Sequence, residues 1–169
     1  PYEMWSMDKI KSEKQINNKL KKYAGPYIVS AKMDGISVLY YSEDKYKDSP
    51  QLYTRGNGKK GQDITYLLPY LNLPVIPDVT IRGELIIKKK RFQDKYAEQF
   101  SNPRNFVSGL ANSKKLTDDL KKMVGDLTFI AYEVIHPVMK GSDQMRFLEE
   151  NWGKHNTVKY ELMDTINKE

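Results

Sequence analysis

The stretch "YIVSAKMDGISVLYYSED", residues 27–44, decides how the rest of the chain is read. Apolar and β-branched residues run up to Lys32, a Lys-Met-Asp-Gly step interrupts them, and apolar residues resume at Ile36. This pattern predicts two strands, 27–31 and 36–42, with a turn at Asp34-Gly35 between them. That turn tips Lys32 and Asp34 towards one spot. A lysine at a strand end ordinarily snorkels its ammonium to water. In a partly dry cleft it becomes a competent amine nucleophile instead, with Asp34 placed to position it or to meet a sugar hydroxyl. The motif alone leaves both readings open.

Upstream, Ser12 and Gln15 form a capping box, and Ile16, Leu20 and Tyr23 recur at helical spacing until Gly25-Pro26 breaks the helix. Downstream, "SEDKYKDSP" reads as a polar hairpin connection and "QLYTR" as the returning strand. Asp63 then caps a short helix over "ITYLLPYL", limited by Pro69 and Pro74. "VTIRGELII" (79–87) and "LTFIAYEVI" (127–135) are strands. Phe92, Tyr96 and Phe100 share a helical face, and Asn102-Pro103 starts a further helix. Ser142 opens a last helix carrying Met145, Leu148 and Trp152, which Gly153 closes. No regular β-α-β alternation occurs, so the expected class is α+β with mostly antiparallel sheets.

Four further features bear on chemistry. In "TRGNGKKGQDIT" (54–65), three glycines flank Lys59 and Lys60. The loop is either a flexible hairpin tip or a backbone cradle for phosphate, with Arg55 adding a bidentate donor. Its spacing is not that of a P-loop. In "IRGELII", Arg82 and Glu84 share a strand face, either as a structural ion pair or with the carboxylate gripping a ribose or a divalent ion. In "SNPRNFVSGLANSKK", Asn102 and Arg104 stand at a helix start, where a capped helix with an exposed arginine and an anion site are both consistent. Tyr132 lies in an apolar strand, as core or as a base-stacking platform. His136 and His155 sit in unrelated contexts and suggest neither a metal site nor a triad.

Composition bounds these readings. The chain has 169 residues, 39% hydrophobic and 30% charged, enough for one substantial core. It has no cysteine, which excludes disulfides, thiolate zinc sites and a cysteine nucleophile within it. A net charge of +6 favours an anionic partner such as nucleic acid or a phosphorylated ligand. No apolar run approaches the roughly 20 residues that span a bilayer, and no signal pattern opens the chain, so an intracellular, cytoplasmic location without membrane association is expected.

The order of the motifs is more specific than any one of them. "AKMDG", "TRGNGKKGQDIT", "RGELII", "NPRN" with Gly109 four residues on, and "LTFIAYEVI", led by "MWSMDK", together resemble the adenylation domain of an NAD-dependent DNA ligase. The resemblance runs from about residue 4 to about residue 165. It implies a nucleotidyltransferase (ATP-grasp-like) fold around a nucleotide cleft. It also implies that Lys32 attacks the α-phosphorus of NAD, expels nicotinamide mononucleotide and holds AMP. The AMP then passes to the 5′-phosphate of a DNA nick, which the 3′-hydroxyl seals, with Mg²⁺ shielding phosphate charge. Asp34 and Glu84 serve the ribose or the metal on this reading, and Arg55 holds AMP. Tyr132 stacks on adenine, Ser6 and Met7 line the pocket, Arg104 faces the nick phosphates, and Lys59 and Lys60 add nucleic-acid contacts. A monomer acting on nicked double-stranded DNA is expected. The alternatives are an ATP-dependent polynucleotide ligase or capping-type enzyme, and a nucleic-acid-binding relic without activity.

Three positions depart from the family pattern. Ser30 replaces the glutamate that reads the adenine amino group, and Asn57 stands where aspartate is common. Asn112 replaces a second arginine, which leaves Lys114 and Lys115 to supply its charge. These departures, with the abundance of Lys, Asn and Tyr, suit a divergent branch from an AT-rich viral or bacterial genome. The chain starts at Pro1, and the family's later strands with a second Asp-Gly and further lysines do not occur before Glu169. The expectation is a partial adenylation domain: residues 1–25 a leading segment and helix, 26–169 the nucleotide-binding core without its C-terminal motif strands. Alone, it is expected neither to seal nicks nor to label efficiently with NAD.

Overall fold

The structure is a computed structural model that describes residues 1–6, 8–43, 49–164 and 166. The first helix, α1 (Glu13–Lys22), begins where the capping signal puts it, Ser12 Oγ accepting the Gln15 amide. The reciprocal bond is displaced by one residue, because Gln15 Oε1 takes the Lys11 amide at 2.7 Å. None of the α1 residues is fully buried, so its apolar stripe lies beside the core rather than in it.

Strands β1 (Tyr27–Ser30) and β2 (Ile36–Tyr41) both form, but they do not pair. β1 pairs antiparallel with β6 (Tyr160–Met163) in a two-stranded sheet. β2 lies inside a four-stranded antiparallel sheet of order β3-β2-β4-β5, with β3 Gln51–Thr54, β4 Thr80–Ile87 and β5 Leu127–His136. The hairpin expected at Asp34-Gly35 is therefore a crossing between two sheets. A glycine marks a tight turn or a close backbone approach, and sequence does not separate the two. Here it is the approach: Gly35 is buried, and a Cβ on it would run into the Leu85 carbonyl oxygen of β4. The β2–β3 connection is antiparallel as expected, although residues 44–48 of that turn lie outside the described residues.

Alternation gives the large sheet two different faces. On one, Val38, Tyr40, Ile81, Leu85, Phe129 and Ala131 are buried. Trp152 closes over this face, edge-on to Tyr40 with centroids 4.9 Å apart and 5.0 Å from Phe129. It belongs to a turn following α5 (Gly141–Leu148), which starts one residue before the expected Ser142. Gly153 ends that turn with φ 96°. Phe92 of α2 (Lys89–Lys95), Tyr96 and Phe100 all meet Phe106 of α3 (Pro103–Ala111), at centroid distances of 6.3, 4.3 and 5.0 Å. That is the shared face read from their spacing. Asn102 caps α3, its Oδ1 accepting the Asn105 amide at 2.8 Å. Asp63 Oδ1 similarly takes the Thr65 amide at 2.9 Å at the start of a short 3-10 helix, Thr65–Tyr70, that includes Pro69. Helix α4 (Asp118–Val124) and strand β6 have no counterpart in the sequence reading.

One buried polar pair makes a pH-dependent prediction. The Tyr96 hydroxyl donates to Asp126 Oδ2 at 2.6 Å, and Lys95 reaches the same oxygen at 3.2 Å. Burial, then the Asp126 carboxylate, pushes the Tyr96 phenol up to about 12 from 10.0. Burial also opposes the Asp126 charge, but the hydrogen bonds from Tyr96 and Lys95, with the charges of Lys95 and Arg91, outweigh it and hold that carboxyl below its usual range. The folded state thus keeps the Tyr96 proton longer than the unfolded chain does. The contribution is whole below about pH 10 and is lost as pH rises towards about 12. Urea titrations are expected to show a decline on the order of 2–3 kcal/mol across that window, and Tyr96→Phe is expected to flatten it.

Candidate active site

The other face of the large sheet is polar at the end where β2 begins. Three strands align a row of side chains there. The Arg55 amide, just past β3, donates to the Ser37 carbonyl at 2.9 Å, and Ser37 pairs in register with Glu84 of β4. Ser37 Oγ donates to Glu84 Oε2 at 2.8 Å, and Glu84 is only 8% exposed. The next row holds Leu39 and Arg82. Arg82 pairs with Glu133 at 2.9 Å rather than with Glu84, which corrects the ion pair considered from the alternation of β4.

β5 carries a bulge opposite this row. Arg82 pairs with Glu133 while its neighbour Gly83 pairs with Ala131, which leaves Tyr132 as the extra residue. A bulge re-aims side chains that strict alternation would send to opposite faces. Here it brings Glu133 to Arg82 and sets Tyr132 near Ser37 and Glu84 on the polar side. Burial pushes the Tyr132 phenol up, and the negative charge of Glu84 adds to the rise.

The chain's first residues lie across the same face. The Met4 amide donates to the Gly58 carbonyl at 2.7 Å, the Glu3 carbonyl accepts from Arg82 Nη2 at 3.2 Å, and Met4 is buried. Ser6 Oγ accepts a hydrogen bond from Arg55 Nη1, so these two expected pocket residues do meet. Met7 lies outside the described residues. The glycine loop differs from a phosphate cradle. Gly56 and Gly58 adopt φ 54° and 97°, as its tight turn requires. Its amides are used internally: Asn57 Oδ1 takes the Lys59 and Lys60 amides at 3.1 and 2.8 Å, and the Asn57 and Gly58 amides bond to Lys60 and Arg55 carbonyls. What the loop offers a ligand is its cations. Lys60 is exposed, and Lys59 sits over the Trp5 ring, 5.4 Å from its centroid.

Lys32 stands on the crossing between the sheets, and it is exposed rather than enclosed in a dry cleft. Its loop is nevertheless fixed at the far end. Gly35 lies against Leu85, and the next residues, Ile36 and Ser37, enter register with Leu85 and Glu84. The crossing therefore delivers Lys32 and Asp34 at the margin of the polar row. Asp34 is also exposed, with Oδ1 3.9 Å from Arg104 Nη1 at the start of α3. Ser30 ends β1, exposed and in register with Tyr160. Lys114 and Lys115 follow the end of α3 and are both exposed.

The donor set is an amine without an ion pair among the described residues, a guanidinium, a half-buried phenol and a buried carboxylate. These groups suit the phosphate, ribose and base of a nucleotide. For a metal they supply less. Among the described residues no three His, Cys, Asp or Glu side chains converge. Asp34 and Glu84 fit only an ion that takes one or two carboxylates and keeps water and substrate phosphates as its other ligands, the habit of Mg²⁺.

The family profile described as the NAD-dependent DNA ligase adenylation domain matches residues 2–166. The chain belongs to that family. Its relatives extend from viruses to bacteria. The DNA ligase of Acanthamoeba polyphaga mimivirus is 43% identical over 98% of this chain, which covers 26% of that protein. A relative in Invertebrate iridescent virus 6 is 42% identical over 80% of this chain, covering 22% of that protein. The DNA ligase of Lactobacillus johnsonii is 29% identical over 98% of this chain, covering 27% of that protein. The chain thus spans about a quarter of the length of these curated relatives. Two antiparallel sheets flanked by helices agree with the expected α+β nucleotidyltransferase class. Among the described residues no helix is long and apolar enough to cross a membrane.

Sequence reasoning missed Ser37 and Glu133. Ser37 lies on the same strand face as the next polar row and directly opposite Glu84, so pairing β2 with β4 would have singled it out. Nothing local signals the bulge that turns Tyr132 and Glu133 to one side.

Proposed function

We propose that this adenylation domain transfers AMP from NAD to a DNA nick, with Lys32 as the attacking group. The observation that carries the reading is the crossing itself: Gly35 pins the Lys32 loop where Ser37 and Glu84 begin the polar row. The Lys32 amine, once deprotonated, attacks the α-phosphorus of NAD. A P–N bond forms, the P–O bond to nicotinamide mononucleotide breaks, and the leaving mononucleotide carries off the electron pair. Arg55, with Ser6 and Met7, holds the AMP phosphate and pocket wall. Glu84 and Asp34 take the ribose or an ion, Tyr132 packs on the adenine, and Ser30 meets the base edge. Bound Mg²⁺ supplies neutralisation of phosphate charge. In the second stage Arg104, Lys59 and Lys60 face the phosphates of nicked double-stranded DNA. The net charge of +6 favours that partner.

On this reading residues 1–25 are a leading segment and helix, and 26–169 form the nucleotide-binding core of a monomeric, intracellular ligase that serves DNA repair and replication. The test is donor choice. The natural protein is incubated with NAD or with ATP, each labelled in the adenylyl phosphate. Label transferred from NAD and not from ATP is expected. Transfer from ATP alone would overturn the assignment of the donor, and transfer from neither would overturn the reaction.

A further inference from the structure

Ser37 holds Glu84, a residue assigned to nucleotide binding, while belonging to neither the Lys32 loop nor the glycine loop. Its hydroxyl has one proton and two lone pairs. The proton lies on Glu84 Oε2, at 2.8 Å. The Ser37 backbone is fixed on both sides, by its register with Glu84 and by the Arg55 amide on its carbonyl. The result is a single tether from Ser37 Oγ to Glu84 Oε2 on a fixed backbone. It uses one oxygen of the Glu84 carboxylate and leaves Oε1 without a hydrogen-bond donor among the described residues. A carboxylate without such a tether rotates about its terminal torsion, which is broad and roughly two-fold.

We propose that Ser37 is a positioning residue that orients Glu84 towards a ribose hydroxyl of the nucleotide. The inference rests on the adenylyl-transfer reading above. It assigns Ser37 no contact with the nucleotide, so removing it loosens binding only through Glu84.

The test measures equilibrium binding of NAD by calorimetry in the natural protein carrying Lys32→Ala, which binds without reacting. In that background Ser37→Ala is expected to weaken NAD binding about tenfold, the scale of one hydrogen bond to a charged group, and Ser37→Thr to restore it. Adding Ser37→Ala to Glu84→Ala is expected to cost nothing more, because the tether then has nothing to orient. A merely structural serine would instead add its loss to that of Glu84→Ala and lower the unfolding midpoint. Either unchanged binding in Ser37→Ala or full additivity with Glu84→Ala overturns the proposal. Should the protein with Lys32 intact take no label from NAD, it is the adenylyl-transfer reading that fails. Should it take label while Ser37→Ala binds normally, only the role of Ser37 falls.

Discussion

Lys32→Ala is expected to abolish adenylyl transfer from NAD by the natural protein, a loss on the order of 10⁴-fold or more, as for removal of other covalent nucleophiles. The effect should be confined to chemistry. Lys32 is exposed and makes no ion pair among the described residues, so its truncation leaves neither a cavity nor an unpaired partner. Stability in urea is therefore expected to move by less than about 0.5 kcal/mol, as for other plain surface substitutions. Affinity for nicked DNA should persist with nearly the same salt slope, since one charge of a broad basic surface is lost. Rates of label incorporation, together with binding isotherms at two salt concentrations, separate these effects. An Ala variant that still labels would assign the chemistry elsewhere. A protein that binds DNA but never labels, with or without Lys32, would be a binding relic.

Gly35→Ala is expected to have a large effect on folding. A methyl at Gly35 would strike the Leu85 carbonyl oxygen and lie 2.9 Å from Ile86 Cγ2, both on the central strand β4. Neither backbone can yield without breaking the Ile36–Leu85 register. A cost of roughly 3 kcal/mol is expected, the upper range for overpacking. Labelling of Lys32 should fall with it, because the crossing can relieve the clash only by moving away from β4. Gly109→Ala provides the opposite sign. Gly109 is exposed within α3, and the nearest atom to a Cβ there is Phe100 Cε1 at 3.9 Å, ordinary contact. That change should stabilise by about 0.5–1 kcal/mol, the helical difference between glycine and alanine. Urea midpoints of the two variants, displaced in opposite directions, are the check. A neutral Gly35→Ala would mean the crossing is not pinned at β4.

The contrast between these glycines also explains which parts of the molecule were legible in the sequence. Local features with local causes were readable: the Ser12 and Asn102 caps, the strand character of 79–87 and 127–135, and the Phe92–Tyr96–Phe100 face that closes on Phe106. Partnership between distant segments was not. Apolar patterning marked β1 and β2 as strands, yet no residue in either announced that β1 would choose β6, 130 residues away by register of Ser30 with Tyr160. For the same reason Asp34-Gly35 looked like a hairpin. The site followed a similar division. Lys32, Arg55, Glu84 and Tyr132 were candidates by residue type and order, whereas Ser37 became one only with β2 lying between Arg55 and Glu84. The glycine loop was recognisable, but the internal use of its Lys59 and Lys60 amides came from the Asn57 side chain, which the sequence alone presented only as a departure from aspartate.

The central claim is that the Lys32 amine is the atom that accepts AMP. Peptide mapping by mass spectrometry after incubation of the natural protein with NAD and Mg²⁺ tests it most directly. The account predicts one adenylyl group, on the peptide containing Lys32, released by acid and resistant to alkali as a phosphoramidate would be. An adenylyl group on any other residue, or an unmodified Lys32 peptide in a protein that seals nicks, would contradict it.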